Sequence, residues 1–140
     1  MFVKLRPMDP ADFDSALKLW QGTEGMGLNA ADTPDQIRRF LERNPGLSTV
    51  AESEGTLVGT ALCGHDGRRG FIYHLAVDRK ARARGIGRRL VEQSIANLKH
   101  AGLTRCHIVV YAHNTAGQDF WAHLGFTPRK ELLICSTLLD

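Results

Sequence analysis

The segment Arg79–Gly87 joins a strongly β-prone run, Phe71–Asp78, to a stretch whose apolar residues have helical spacing. It contains Arg82-Ala83-Arg84-Gly85-Ile86-Gly87, in which two glycines stand among arginines. Glycines let the backbone turn tightly, and the first N–H groups of a following helix have no carbonyl partner. Together with the helix dipole, those N–H groups favour a phosphate or pyrophosphate. The segment therefore predicts a strand–loop–helix unit with an anion site where the helix begins.

Two familiar nucleotide-binding patterns are excluded by spacing. No glycine follows Gly87 at the position that G-x-G-x-x-G requires, and the chain has no G-K-[S/T]. The charge pattern nevertheless agrees with an anionic ligand. Residues 1–66 hold 6 Lys/Arg and 10 Asp/Glu (−4), and residues 67–140 hold 12 and 5 (+7), which together give the net +3. The alternative is an ordinary basic surface that faces water.

Composition predicts one globular domain. The chain has 140 residues, of which 43% are hydrophobic and 24% charged. Its apolar runs, such as Ile108–Ala112, are shorter than the ~18 residues of a membrane span, and the N-terminus lacks the long apolar run of a secretory signal. Cys63, Cys106 and Cys135 are odd in number and lie in apolar, strand-like runs. We expect buried free thiols in a cytoplasmic protein that has no metal site.

The order of the predicted elements is β-α-α-β-β-β-α-β-α-β-β. Asp9-Pro10 and Thr33-Pro34 are start signals for the first two helices, and Glu54-Gly55 joins two strands in a hairpin. The predicted strands are 2–6, 47–53, 56–63, 71–78, 104–112 and two pieces within 126–138. A hairpin run followed by β-α-β predicts an α/β (α+β) domain, a mixed sheet with helices on both faces.

Two separated motifs give the chain a resemblance to a known family. The loop pattern R-x-x-G-x-G is present at Arg82, Gly85 and Gly87. A second pattern, N-x-x-A-x-x-F-Y-x-x-x-G-F, has Gly117 in place of Ala and Trp121 in place of Tyr. Its matching positions are Asn114, Phe120, Gly125 and Phe126. The chain therefore resembles the GNAT (GCN5-related) N-acetyltransferase superfamily. Through the D-G-R-R-G turn at 66–70, which precedes Tyr73-His74-Leu75, the chain also resembles the bacterial YpeA-like subgroup.

The resemblance implies a single GNAT-like domain over 1–140, with a central sheet of about six to seven strands. Two parallel strands would splay apart and receive the pantetheine arm of acetyl-CoA, the co-substrate, with no metal. The arm would pair with main-chain groups of the strand that contains Leu75 and Val77, and the glycine loop would hold the pyrophosphate. Arg84, Arg88 or Arg89 would lie near the phosphates. The implied cofactor-binding residues are Leu75, Ala76, Val77, Arg82, Ala83, Arg84, Gly85, Ile86, Gly87, Arg88, Asn114, Gly117 and Phe120.

Tyr73 and His74 are the candidate catalytic residues, because the acceptor amine must lose a proton before it attacks. Strict alternation would put Tyr73 on the face where the family places an acid/base residue and His74 on the opposite face, unless a bulge turns it. Each could instead be an ordinary packed residue, with an ordered water carrying the proton. Trp121 holds the place of the family's usual acid, although an indole N–H does not titrate in the required range.

These observations favour an acetyl-CoA-dependent N-acetyltransferase that acts on a primary amine by direct transfer in a ternary complex. Glu24 and Asp32, in the acidic loop 22–35, would line the site of an unknown acceptor. The alternative is an acyl-CoA-binding or sensing module with little transferase activity. A third hypothesis is nucleic-acid binding through Arg68–Arg105, which holds 10 of the 18 basic residues. This stretch lacks interleaved aromatics beyond Phe71 and Tyr73, so we expect no nucleic acid as partner, and we expect no membrane partner either. Leu132–Leu138 could form a homodimer contact.

Overall fold

The computed structural model describes residues 1–139 as five strands, four α-helices and three short 3₁₀ helices. The strands are β1 (Lys4–Pro7), β2 (Thr49–Ser53), β3 (Thr56–His65), β4 (Gly70–Val77) and β5 (Cys106–His107). The α-helices are α1 (Phe13–Gln21), α2 (Pro34–Arg43), α3 (Ile86–His100) and α4 (Thr115–His123). The 3₁₀ helices span Pro10–Asp12, Ala30–Asp32 and Arg79–Ala81.

The chain divides into two compact units, Met1–Val109 and Val110–Asp140. The assignment of 1–140 to one domain stays a prediction.

The first unit contains one sheet in the order β1-β2-β3-β4-β5. The first three pairs are antiparallel and β4–β5 is parallel, which confirms the predicted mixed sheet. Only Gly70↔Cys106 and Phe71↔His107 pair across the parallel ladder. Within the described part of the chain, the β4 edge beyond Phe71 therefore has no strand beside it, and the parallel pair is splayed as expected.

The predicted count of six to seven strands is wrong for the described residues, which form five. The run 126–138 contains no strand, and of 104–112 only Cys106–His107 is paired. Alternating apolar residues show only that a segment suits a pleated surface; a strand also needs a neighbour for its hydrogen bonds. No such neighbour pairs with 126–138, and Leu133 and Leu138 are 89% and 91% exposed.

Helix starts follow the local signals. The Asp9 side chain accepts a hydrogen bond from the Ala11 N–H, and Thr33 accepts one from the Gln36 N–H, so both predicted caps are formed. Gly22 ends α1 as expected. Short-range capping chemistry is sufficient to fix these boundaries because each cap needs only three or four consecutive residues.

The helices of the first unit cover both faces of its sheet, as predicted. On one face, side chains from α1 and α2 form a core with residues of β2, β3 and β4. This core includes Phe13, Trp20, Ile37, Leu41, Val50, Leu62 and Ala76. On the other face, α3 packs so closely that a Cβ on Gly59 would lie 3.0 Å from Leu90 Cδ1, and one on Gly70 only 2.6 Å from Leu98 Cδ1. These two glycines let α3 approach the strands.

The three thiols differ in environment. Cys63 is buried in β3, and desolvation raises its pKa to about 12; Cys106 is half-buried, and burial raises its pKa to about 11. Cys135 is exposed and lies outside any strand, so the expectation of burial is wrong for this residue.

Within residues 1–139, no helix is long and apolar enough to cross a membrane. His, Cys, Asp and Glu side chains in that range form no metal-sized group of three or more.

Candidate active site

The loop between β4 and α3 has the backbone that its sequence predicts. The Asp78 side chain accepts a hydrogen bond from the Lys80 N–H and starts a 3₁₀ turn, which Ala81 anchors by burial. Ala83 and Gly85 then adopt the left-handed conformation, with φ of +63° and +75°. α3 begins at Ile86, and no side chain caps its N-terminus. The N–H groups of its first turn therefore have no partner within the helix, which suits a pyrophosphate.

The arginines of this region have different partners. Arg82 donates through Nε to the Val77 carbonyl at 3.1 Å and ties the loop to the end of β4. Arg84 is exposed, and Arg88 lies 3.7 Å from Glu92 in an exposed pair along α3. Both terminal nitrogens of Arg89 donate to the backbone carbonyl of Val3 at 3.3 Å. The expectation that Arg89 lies near the phosphates is therefore corrected, because this side chain anchors the N-terminal segment.

The strand residues expected to meet the cofactor lie on the open edge of β4. Leu75 and Val77 are half-buried, whereas Ala76 is 3% exposed and belongs to the core beneath α1. Beyond Phe71 this edge has no paired strand in the described chain, so its main-chain groups are placed to accept an added extended segment. The residues present thus fit a pantetheine arm, which carries amides along a flexible chain.

A β-bulge at His74 changes which face the following side chains occupy. Thr60 pairs with Ala76 and Leu62 with Tyr73, so one intervening residue of β3 opposes two of β4. His74 takes φ of +47°, which is uncommon for a non-glycine residue. Its ring consequently lies on the same side as Tyr73, against Trp20 of α1 with ring centroids 4.7 Å apart. The alternating pattern is therefore wrong beyond Tyr73, and the alternative with a bulge is confirmed.

His74 is held at both its side chain and its backbone. Its Nε2 lies 2.7 Å from Asp32 Oδ1, with side chains only 16% and 9% exposed. The other Asp32 oxygen accepts a hydrogen bond from the Asn29 N–H at 2.9 Å. Thr60 Oγ1 donates to the His74 carbonyl at 2.8 Å and accepts from Trp20 Nε1 at 2.9 Å. These contacts fix the imidazole in one orientation and join it to the loop that precedes α2.

Tyr73 belongs to a group of rings on the same face. Its ring is stacked on Phe71 with centroids 5.7 Å apart and planes at 8°, and it meets Phe40 edge-on at 6.0 Å. Phe71 in turn lies 5.4 Å from the His107 ring on β5. Tyr73 is 40% exposed. Burial, and then the negative charge of Asp66, raise the pKa of its phenol, so it stays protonated at neutral pH.

The acidic loop does not present free carboxylates in the way we expected. Glu24 pairs with Arg79 at 2.9 Å, and both side chains are exposed. Asp32 is occupied by His74 and the Asn29 N–H. The two carboxylates thus tie their loop to β4 through His74, and to the 3₁₀ turn that follows β4 through Arg79.

The remaining predicted residues lie in the second unit. The Asn114 side chain caps α4 by accepting from the Gly117 N–H at 2.9 Å, and a Cβ at Gly117 would lie 2.6 Å from its Nδ2. Trp121 packs edge-on against Phe120 at 5.3 Å and Phe126 at 4.9 Å. These contacts agree with a packing role for the indole.

Sequence reasoning missed the pairing of Asp32 with His74 and the position of His107. A signal for the first existed in Asn29–Asp32, an N-x-x-D capping box that orders the carboxylate. His107 carried no comparable signal, because its place beside Phe71 depends on the register of the parallel pair.

A mixed sheet with a splayed parallel pair, and a glycine loop that opens a long helix at the splay, define an acyltransferase-type fold. The chain matches the Acetyltransferase (GNAT) family over residues 13–126. An acetyltransferase of Pectobacterium atrosepticum is 31% identical over 137 residues, which cover 97% of this chain and 93% of that protein. The chain belongs to the acetyltransferase (GNAT) family.

Solved structures share the fold. Ard1 from Thermoplasma volcanium superposes with a TM-score of 0.80 at 20% identity, over 91% of this chain and 84% of that one. PaiA N-acetyltransferase from Thermoplasma acidophilum, in complex with coenzyme A, gives 0.77 at 16% identity over 91% of each chain. At the level of the family, the predictions of an N-acetyltransferase and of acetyl-CoA as its co-substrate are confirmed. The narrower YpeA-like resemblance stays a prediction.

Proposed function

We propose that the protein transfers an acetyl group from acetyl-CoA directly to a primary amine, with both substrates bound together. The observation that carries this proposal is the bulge at His74, which brings an oriented imidazole to the strand edge that leads into the glycine loop. In the transfer, the amine nitrogen bonds to the thioester carbon and the carbon–sulfur bond breaks. The amine loses a proton and the departing thiolate takes one up.

The cofactor residues are proposed from the loop and the strand edge. The first-turn N–H groups of α3 would hold the pyrophosphate, and Arg84 and Arg88 would supply positive charge. The edge at Leu75 and Val77 would pair with the pantetheine amides. The assignments of Ala76, Arg82, Ala83, Ile86 and the second-unit residues Asn114, Gly117 and Phe120 remain proposals of the same kind.

His74 is the proposed general base and Asp32 its positioning residue. The 2.7 Å contact supports one fixed ring orientation, which a base needs in order to meet the acceptor nitrogen directly or through one water. Tyr73 suits the role less well, because the raised pKa of its phenol keeps the proton on oxygen. The indole at Trp121 cannot replace an acid, but a thiol with pKa near ~8.5 leaves with modest help.

Release of thiol from acetyl-CoA across a panel of primary amines tests the proposal. We expect His74→Gln to lower kcat/KM by about 10²–10⁴-fold, the usual contribution of a general base. His100→Gln, an exposed histidine at the end of α3, is the matched control and should leave the rate unchanged. Asp32→Asn should lower kcat more than it raises KM. Tight CoA binding with no thiol release for any amine would favour the sensing module instead.

A homodimer is proposed through the run Leu132–Leu138, and its support is the exposure of Leu133 and Leu138. Light scattering of Leu133→Glu against the unaltered chain tests it, since a monomer in both cases contradicts the contact. The three unpaired cysteines agree with the predicted cytoplasmic location. The predictions that neither nucleic acid nor a membrane is a partner, and that no metal is bound, stay predictions.

A further inference from the structure

The rings of Phe40, Phe71, Tyr73 and His107 form a continuous aromatic row on the face of β4 that carries His74. Phe71 and Tyr73 lie two residues apart on one strand, and their rings are stacked with planes at 8°. Burial of apolar side chains normally removes such rings from water, yet Tyr73 is 40% exposed and its three neighbours are only half-buried. Of these four rings, only Phe40 packs against the core beneath α1.

The row adjoins the proposed transfer point. Tyr73 immediately precedes the bulged His74, and a strand rises about 3.3 Å per residue. The ring surface therefore begins roughly 3 Å from the bulge and extends to roughly 10 Å at Phe71. When two carbons join an amine to an aromatic ring, the distance between nitrogen and ring is similar to the distance between His74 and this ring surface. One small molecule therefore reaches both His74 and the rings.

The turn at the far end of the row carries one carboxylate, Asp66, and two arginines, Arg68 and Arg69. Asp66 stands in the turn that leads into β4, and the N–H groups of Arg69 and Arg68 hold the pKa of its carboxyl below the usual range. It is thus negative at neutral pH and close enough to act on Tyr73. Aromatic faces also attract ammonium groups. Arg68 acts on the same carboxylate and Arg69 adds a second positive charge to the turn, so recognition of the acceptor depends on the rings rather than on net charge.

We infer that the row is the acceptor-binding surface and selects arylalkylamines, primary amines that carry an aromatic ring about two carbons from nitrogen. The inference rests on the proposed function and names its substrate class. The ring of the acceptor packs against the exposed part of Tyr73, beside Phe71, while its nitrogen lies at His74. The carboxylates of the 22–35 loop, already paired, contribute little to recognition.

Transfer kinetics with three amines test the inference: phenethylamine, 2-cyclohexylethylamine, which has similar bulk without a π face, and putrescine, which has no ring. We expect the highest kcat/KM for phenethylamine. Phe71→Leu should raise KM for phenethylamine about three- to tenfold, the range of one aromatic pair, and leave KM for putrescine unchanged. Phe2→Leu, an exposed aromatic outside the row, is the matched control.

Phe40→Leu provides a second variant in case Phe71→Leu unfolds, and melting curves check both. The inference is overturned if phenethylamine and putrescine react equally well and neither variant changes KM; the proposed function then still stands. Titration calorimetry of phenethylamine gives a readout that needs no turnover. Binding that weakens in Phe71→Leu without any thiol release supports the row while it contradicts the transferase proposal.

Discussion

Gly85→Ala tests the backbone of the proposed cofactor loop, Arg82–Gly87, without changing its charged side chains. Gly85 has φ of +75°, and a Cβ there would meet nothing within 4 Å, so the substitution adds strain without a clash. The left-handed conformation costs an L-residue roughly 1–2 kcal/mol, and the loss of glycine freedom in the unfolded chain returns about 0.4–1 kcal/mol. We expect a net loss of about 1 kcal/mol in unfolding free energy and a Tm lower by about 3–4 °C.

The same strain predicts the effect on cofactor affinity. If alanine relaxes out of the left-handed region, binding must restore the loop at a cost of roughly 1–2 kcal/mol, which raises the Kd for CoA about 5–30-fold. Gly46 is the matched control, since it has the same φ of +75° and the same open space but lies in another turn. Gly46→Ala should lower Tm equally and leave the Kd unchanged. Equal Kd values for both variants, measured by titration calorimetry, would refute the assignment of the loop.

Three further predictions concern charge and packing. Gly70→Ala should lower the unfolding free energy by about 1–3 kcal/mol in urea titration, because its Cβ would lie 2.6 Å from Leu98 Cδ1. Asp12→Asn should destabilise the chain at neutral pH. Arg6 donates two hydrogen bonds to the Asp12 carboxylate, at 2.9 and 2.8 Å, and they lower the pKa of Asp12. The stabilisation from this pair is therefore complete above the unfolded pKa near ~3.9 and is lost as pH falls through the lower folded value. Arg84→Gln should weaken CoA binding in a salt-sensitive manner, whereas Arg89→Gln should lower Tm instead.

Each of these has an outcome that contradicts it. An unchanged urea midpoint for Gly70→Ala would mean that α3 shifts freely away from the sheet. A stability gap for Asp12→Asn that persists at pH 2 would exclude the ion pair as its cause. A larger loss of CoA affinity in Arg89→Gln than in Arg84→Gln would return the phosphate role to the side chain that contacts Val3.

The parts of the fold that depend on neighbouring residues were predictable from the sequence. The caps at Asp9 and Thr33, the hairpin at Glu54-Gly55 and the glycine loop at Gly85 each follow from a few consecutive residues. The run 126–138 had equally good local preference and formed no strand. The difference is physical: a cap is satisfied within its own turn, whereas a strand needs another segment to bond with.

The sequence by itself determined the family and the backbone of the proposed anion-binding loop, because R-x-x-G-x-G acts through local backbone geometry at one helix start. Only the tertiary structure decided which side chains reach the transfer point. The bulge that turns His74 toward Asp32 exists because β3 supplies one residue against two of β4, and that count depends on the register between strands. In the same way, Arg89 follows the exposed Arg88 directly on α3 but anchors the N-terminal segment, because the packing of α3 brings it to the Val3 carbonyl.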